Sequence, residues 1–235
     1  MKTEKLLVVV PVYNEGDKIK DTIIGLKKID SIDEILIVND GSTDNTKEVI
    51  ENLNVSIVNL DKNHGKGYAM HYAIKEWDYG YIAFVDGDLG LTSVEMEKLI
   101  IPVISGEVDF TIAKFPEAST VTNAKGGFGF VKRLAKKGVY FYTKKEINTS
   151  LSGQRVYKGE IMDYMKYVPD RYGIEVAMTI QALNGDFSFK EIPVNMTHRY
   201  TERSIQGFKH RGKQFFNILK TLIIMFFKRW KYELY

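Results

Sequence analysis

Tyr81-Ile82-Ala83-Phe84-Val85-Asp86-Gly87-Asp88 runs through five apolar residues and stops at two carboxylates one residue apart. The run reads as a buried β-strand and the acids as its end. In an extended segment the side chains at i and i+2 point the same way, and Gly87 adds no bulk and lets the turn tighten. Two carboxylates so placed can hold a hard divalent cation whose remaining ligands are phosphate oxygens, as Mg²⁺ prefers.

Outward from this stretch the same grammar repeats. Leu6–Val10, Glu34–Val38, Val55–Asn59 and Phe110–Ala113 are further short runs rich in Val, Ile, Leu and Phe. Between the runs, Asp17–Lys28, Thr43–Leu53, Tyr68–Trp77 and Ser93–Ile104 show helical spacing. Strands alternating with helices at this period predict an α/β fold, a mostly parallel sheet with helices on both faces. Ligands of such sheets bind at the carboxyl ends of the strands. The polar clusters fall there: Tyr13-Asn14-Glu15, Asn39-Asp40-Gly41-Ser42, Asn63-His64-Gly65-Lys66-Gly67 and the Asp86/Asp88 pair.

Each cluster has its own chemistry. Pro11 ends a strand; Tyr13 can stack on a base and Glu15 can accept from base or ribose donors, while Asn14 suits a turn. Gly41 permits a sharp turn and Ser42 or Thr43 can cap the next helix, which leaves Asp40 for a nucleobase or ribose. Asp44 reads as a helix-start acid. Lys66 between two glycines suits phosphate or sugar. The spacing is neither that of a P-loop nor that of the dinucleotide fingerprint.

The 235 residues, 44% hydrophobic and 27% charged, are enough for a sizeable core. The chain has no cysteine, which excludes disulfides and zinc–thiolate sites and fits a reducing compartment. The apolar stretch before Pro11 is too short for a secretory signal, so the expected location is cytoplasmic. Residues 1–123 carry 12 Lys/Arg against 21 Asp/Glu, and residues 124–235 carry 21 against 9. An acidic metal-binding half and a basic half facing something anionic is one reading; solvated helix faces are the other. No nucleic-acid partner is expected.

The second half is less regular. Phe115–Gly129 reads as a loop, with Gly126, Gly127 and Gly129 as hinges of a lid. Phe130–Lys145 reads as a basic helix, Ser150–Arg155 as turn-rich, Ile174–Leu183 as a helix and Phe187–Val194 as a strand. Ile205–Tyr235 interleaves aromatic and aliphatic residues with cations at near-helical spacing, and Lys220 interrupts its apolar stretch. That stretch is shorter than a spanning helix needs. It reads as an amphipathic helix lying in an anionic membrane surface, against the alternative of packing on the body or on a second copy in a homodimer. The expected division is 1–204 for the main domain (a first half, 1–115, and a second half, 116–204) and 205–235 for the basic helix.

Pro11-Val12-Tyr13-Asn14-Glu15, Asn39-Asp40-Gly41-Ser42-Thr43-Asp44, Gly65-Lys66-Gly67 and Asp86-Gly87-Asp88, in this order, resemble the GT-A nucleotide-sugar glycosyltransferases of family 2. The resemblance implies that Pro11, Tyr13, Glu15, Asp40 and Lys66 line a nucleotide pocket. It implies that Asp86 meets ribose or metal and that Asp88 ligates Mn²⁺ or Mg²⁺. Leu151-Ser152-Gly153-Gln154-Arg155, Tyr172-Gly173-Ile174-Glu175-Val176 and His198-Arg199 resemble the glucosyl-3-phosphoglycerate synthase group. That implies Glu175 near sugar or acceptor and His198 as third metal ligand. Asn14, Gly87, Gly153, Arg155, Tyr172 and Gly173 fall with the substrate in the same stretches, Arg155 as added positive charge at the diphosphate.

The expected activity is metal-dependent hexosyl transfer from a nucleotide diphosphate sugar, UDP-linked by preference. The acceptor is a lipid phosphate, a phosphorylated small molecule or an envelope polymer, and the site of action is the cytoplasm or the inner face of its membrane. Either stereochemical course fits. A nucleotidyltransferase is the second reading, set back because Pro11–Glu15 stands where its phosphate loop belongs. A non-enzymatic membrane module on a degenerate transferase fold is the third.

Overall fold

A computed structural model describes residues 4–116, 128–197 and 205–232. Its centre is a seven-stranded sheet in the order β3-β2-β1-β4-β6-β5-β7. The strands are β1 (Leu6–Val12), β2 (Glu34–Asn39), β3 (Ser56–Asn59), β4 (Tyr81–Phe84), β5 (Phe110–Lys114), β6 (Arg155–Lys158) and β7 (Phe189–Pro193). β1 pairs in parallel with β2 on one side, Val9 opposite Leu36, and with β4 on the other, Val9 opposite Phe84. β6 alone runs antiparallel, inserted between β4 and β5.

Successive residues of β1 face opposite sides of the sheet, and two cores follow from that. Leu7 and Val9 join α3 (Lys66–Glu76), α5 (Phe128–Thr143), α6 (Ile174–Asn184) and α7 (Ile205–Tyr232) in one core. Leu6, Val8 and Val10 join α1 (Ile19–Leu26), α2 (Thr46–Glu51) and α4 (Glu97–Ile104) in the other. Burial on both faces is what makes the strands read as continuous apolar runs.

The expected strands of the first half are present within two residues at each end. The stretch expected as the helix Ser93–Ile104 divides into a 3-10 segment, Gly90–Met96, and α4. β6 (Arg155-Val156-Tyr157-Lys158) is a strand that the sequence reading does not anticipate, beginning where the turn-rich Ser150–Arg155 stretch ends. Pro11, within a central strand, falls beyond the last β1–β4 pair, Val9 with Phe84, so its missing N–H interrupts no ladder on that side. The proposed hinge glycines 126 and 127 lie outside the described residues, and Gly129 belongs to the first turn of α5.

α7 covers the body with one stripe. Ile218, Leu222 and Met225 are buried in the core shared with α5 and α6, and the Tyr142 hydroxyl donates to the Leu222 carbonyl at 2.6 Å. Among the described residues no helix is long and apolar enough to cross a membrane.

Candidate active site

Burial alternates where β4 ends: Val85, Gly87 and Leu89 are buried, and Asp86 and Asp88 are partly exposed. The Gly87 carbonyl accepts from Thr22 Oγ1 of α1 at 2.8 Å, and the same hydroxyl accepts from the Gly90 N–H at 2.9 Å. The turn carrying both acids is thereby bolted to α1.

Lys66, the first residue of α3, reaches across the sheet end. Its Nζ donates to Asp86 Oδ1 at 2.6 Å and to Glu175 Oε1 at 3.0 Å. The other Asp86 oxygen accepts from Gln154 Nε2 at 2.7 Å. Burial works against the charge on Lys66, but the facing carboxylates of Asp86 and Glu175 outweigh it and raise its pKa above the usual lysine range. Gly153 closes against this pair. A Cβ built there would stand 2.5 Å from Asp86 Oδ2 and 2.6 Å from Lys66 Nζ, so only glycine allows the approach.

Glu175 sits in the first turn of α6, where the helix dipole favours a carboxylate. Gly173 sets the turn with φ +104°, and a Cβ there would meet Thr221 Oγ1 of α7 at 2.5 Å. Tyr172 has its phenol pKa raised by burial and then by the Glu175 charge. Arg155 is fully buried. Its guanidinium donates to the carbonyls of Ser152 (2.6 Å), Ser150 (2.9 Å) and Glu175 (3.0 Å), to Thr179 Oγ1 (2.6 Å) and to the Tyr157 hydroxyl (3.2 Å). These bonds tie the Ser150–Gln154 turn to α6, and the guanidinium faces protein carbonyls rather than the cleft.

A cavity of about 410 Å³ opens at the strand ends, lined among others by Pro11, Tyr13, Glu15, Asp40, Lys66 and Tyr172. Tyr13 is exposed at its rim. Asp40 lines it but is itself buried, and its carboxylate accepts from the N–H groups of His64 (2.8 Å) and Gly65 (2.7 Å) and from Asn63 Nδ2 (3.0 Å). It therefore holds the loop that aims Lys66. Asn14 adopts φ +57° and accepts from the Thr43 N–H at 2.8 Å, joining two strand-end loops. A larger cavity of about 490 Å³ lies between the C-terminal end of α6 and α7, lined by Tyr142, Tyr167, Met225 and Lys228 among others and, among the described residues, by no carboxylate. The residues expected at the nucleotide line the smaller one.

The sequence reading left Gln154 and Arg171 without a role. Gln154 holds Asp86, and Arg171 lines the cleft. Gln154 was flanked by two residues that did receive roles, and that adjacency is the signal that could have found it. His198, expected as a metal ligand, lies outside the described residues. Among the described residues no group of three His, Cys, Asp or Glu stands ready for a metal. Both Asp86 oxygens accept hydrogen bonds, one from Lys66 and one from Gln154.

A largely parallel sheet with one antiparallel strand inserted after β4, and a cleft at its carboxyl ends, is the fold of the GT-A glycosyltransferases. Residues 7–164 match the model of Glycosyl transferase family 2, and the chain belongs to that family. Relatives include the glycosyltransferase AglJ of Haloferax volcanii, 25% identical over 81% of this chain and 62% of that protein. The uncharacterized protein MJ1222 of Methanocaldococcus jannaschii is 29% identical over 88% of this chain and 89% of its own length. The chain thus spans under two thirds of the Haloferax protein. Among solved structures, glucosyl-3-phosphoglycerate synthase from Mycobacterium tuberculosis with Mn²⁺, UDP and glucosyl-3-phosphoglycerate superposes with a TM-score of 0.74 at 20% identity. The match covers 94% of this chain and 79% of that one, a likeness of fold.

Proposed function

We propose that the protein transfers a hexose from a UDP-sugar to a hydroxyl or phosphate acceptor. The observation that carries this reading is Lys66 held between Asp86 and Glu175 beside the strand-end cleft. One cation there joins the acid of the family's donor motif to an acid on the opposite side of the site. The mycobacterial neighbour crystallised with UDP and Mn²⁺ supports the choice of nucleotide.

Each residue then has a task. Tyr13 stacks on the base at the rim, and Pro11, Glu15 and the Asp40-anchored loop shape the nucleotide end. Lys66, and Arg171 beside it, offset charge growing on the departing diphosphate. Gly153 and Gln154 keep Asp86 aligned for the ribose. Asp88 and, at the third position, His198 would hold Mn²⁺ or Mg²⁺, hard cations suited to carboxylate and diphosphate oxygens. When bound, the ion supplies Lewis-acid neutralisation of the diphosphate. Glu175 takes the acceptor proton if configuration inverts and orients the acceptor if it is retained. The acceptor belongs to one of three classes, a lipid phosphate, a phosphorylated small molecule or an envelope polymer.

The test is UDP release from a panel of UDP-sugars with Mn²⁺ or Mg²⁺ and one acceptor of each class, with NMR of the anomeric product. Asp88→Asn should abolish the metal-dependent release. A turnover that persists in Asp88→Asn under chelation overturns the metal role. Release of pyrophosphate instead of UDP identifies a nucleotidyltransferase.

A further inference from the structure

α5 and α7 together contain eleven Lys or Arg and no Asp or Glu. Ordinary solvated helix faces mix the two signs. Here the outward faces carry something else. On α7 the exposed stripe is Lys213, Phe216, Lys220, Ile223, Phe226 and Phe227, with Phe216 70% and Phe227 66% exposed. On α5 it is Phe130, Arg133, Lys137, Tyr140 and Phe141, followed by Lys144. Arg133 lies 5.2 Å from the Phe130 ring centroid, and Lys144 lies 5.4 Å from that of Phe141.

Scattered exposed apolar residues are ordinary. These are not scattered. The two helices are in contact, since a Cβ on Gly138 would stand 2.7 Å from Leu222. Both bury their inner stripes, Val131, Ala135 and Val139 on α5 and Ile218, Leu222 and Met225 on α7, in one core on one side of the sheet. Their outer stripes therefore turn away from that same side. Large exposed apolar groups rimmed by cations of a single sign mark a binding surface.

We propose that this α5–α7 face docks the protein onto an anionic lipid bilayer. The aromatic and aliphatic side chains enter the interface and the cations meet lipid phosphates. Two arguments select this occupant. A second copy would bring like-charged helices together without a single acid to answer them, and no described helix is long and apolar enough to pass through a membrane rather than lie on it. The inference goes beyond the transfer reaction and stands or falls apart from it.

The experiment is flotation of the full chain with vesicles of phosphatidylcholine alone and of phosphatidylcholine with phosphatidylglycerol, with thermal unfolding of every variant. Binding should require phosphatidylglycerol, fall with added salt, and weaken roughly fivefold for each cation removed in Lys213→Ala and Lys220→Ala. Phe216→Glu with Phe227→Glu should abolish it while leaving UDP-sugar turnover in solution unchanged. The alanine variants keep the test open if the glutamates disturb folding. No binding, equal binding to both vesicles, or full binding by the glutamate variant overturns the proposal. So does a dimer in light scattering that the glutamates dissolve while vesicles go unbound, which would assign the face to a second copy.

Discussion

Arg155→Lys separates two roles for one buried cation. As a diphosphate contact, Arg155 would tolerate lysine with a loss confined to donor affinity, because the charge is kept. Its position in the structure demands more than charge. Five acceptors on three stretches of chain (Ser150 and Ser152, Tyr157, Glu175 and Thr179) converge on one planar fork at 2.6 to 3.2 Å. A lysine ammonium has three donors and no fork, so at least two of these acceptors lose their partner. An unsatisfied buried acceptor costs about 1–3 kcal/mol, which puts the substitution at about 3 kcal/mol. In a chain of this size about 2–4 °C of Tm goes with each kcal/mol, a fall of roughly 6–12 °C. Calorimetry or circular dichroism of the ligand-free protein reads it, with UDP-sugar KM and kcat measured well below the new midpoint. A Tm within 2 °C of the parent together with a raised donor KM would refute the structural role and return Arg155 to the substrate.

Gly153→Ala should leave Tm nearly unchanged, because the new methyl meets only the ends of Asp86 and Lys66, while kcat falls about a hundredfold through sub-ångström misplacement of both; activity within threefold of the parent sinks this. Lys66→Met should lower kcat by about 10²–10³-fold and release the mutual repulsion of Asp86 and Glu175. Because the folded pKa of Lys66 is raised above its ordinary 10.5, the stability it contributes is complete below that value and is lost only as pH rises through the raised one. Parent and variant stabilities should therefore differ by a constant amount through neutral pH and converge in strong alkali. Asp109 accepts from Lys158 (2.7 Å) and from the Ser188 N–H (2.8 Å) and hydroxyl (2.7 Å), cross-linking β6 to the start of β7. Burial alone would raise its pKa, but these bonds together lower it. The contribution is thus full above the ordinary 3.8 and disappears as pH falls through the depressed value, and Asp109→Asn should cost about 1–2 kcal/mol at pH 7 in urea titrations.

Much of the frame was legible because parallel strands buried on both faces leave an apolar trace, as Leu6–Val10 and Glu34–Val38 do. β6 leaves no such trace. Arg155–Lys158 is four residues bounded by cations, and its strand character comes from pairing partners on both edges that lie far away in the chain. Residue identity also stops short of direction. An arginine in a turn and an aspartate at a strand end suit a ligand as well as they suit a backbone, and only the packing turns Arg155 and Asp40 toward carbonyls and N–H groups. The reverse holds for Gln154, whose neutral amide suggests nothing until β6 brings it to Asp86. The C-terminal helix offered two readings, packed or membrane-bound. The structure packs one stripe of this helix on the body, with Leu222 facing in, and leaves another exposed, with Phe216 facing out.

Charge balance at the cleft ties these pieces to the donor. Asp86 and Glu175 meet at the strand ends through Lys66, which bonds both of them. With Glu15, Asp40 and Arg171 also lining the cleft, the carboxylates still outnumber the cations. A nucleotide diphosphate sugar adds two further negative charges, and bringing such groups together in a partly desolvated cleft costs several kcal/mol unless a cation sits among them. Lys66 cannot fill that need alone, because Asp86 and Glu175 already claim it. On the proposed reading a divalent ion with Asp88 as ligand supplies the missing positive charge. On this argument donor affinity depends on the ion more steeply than on any single side chain. Titrating UDP into the protein with and without Mn²⁺ measures that dependence: equal affinity in the two titrations would mean that the cleft takes its anion by some other balance of charge.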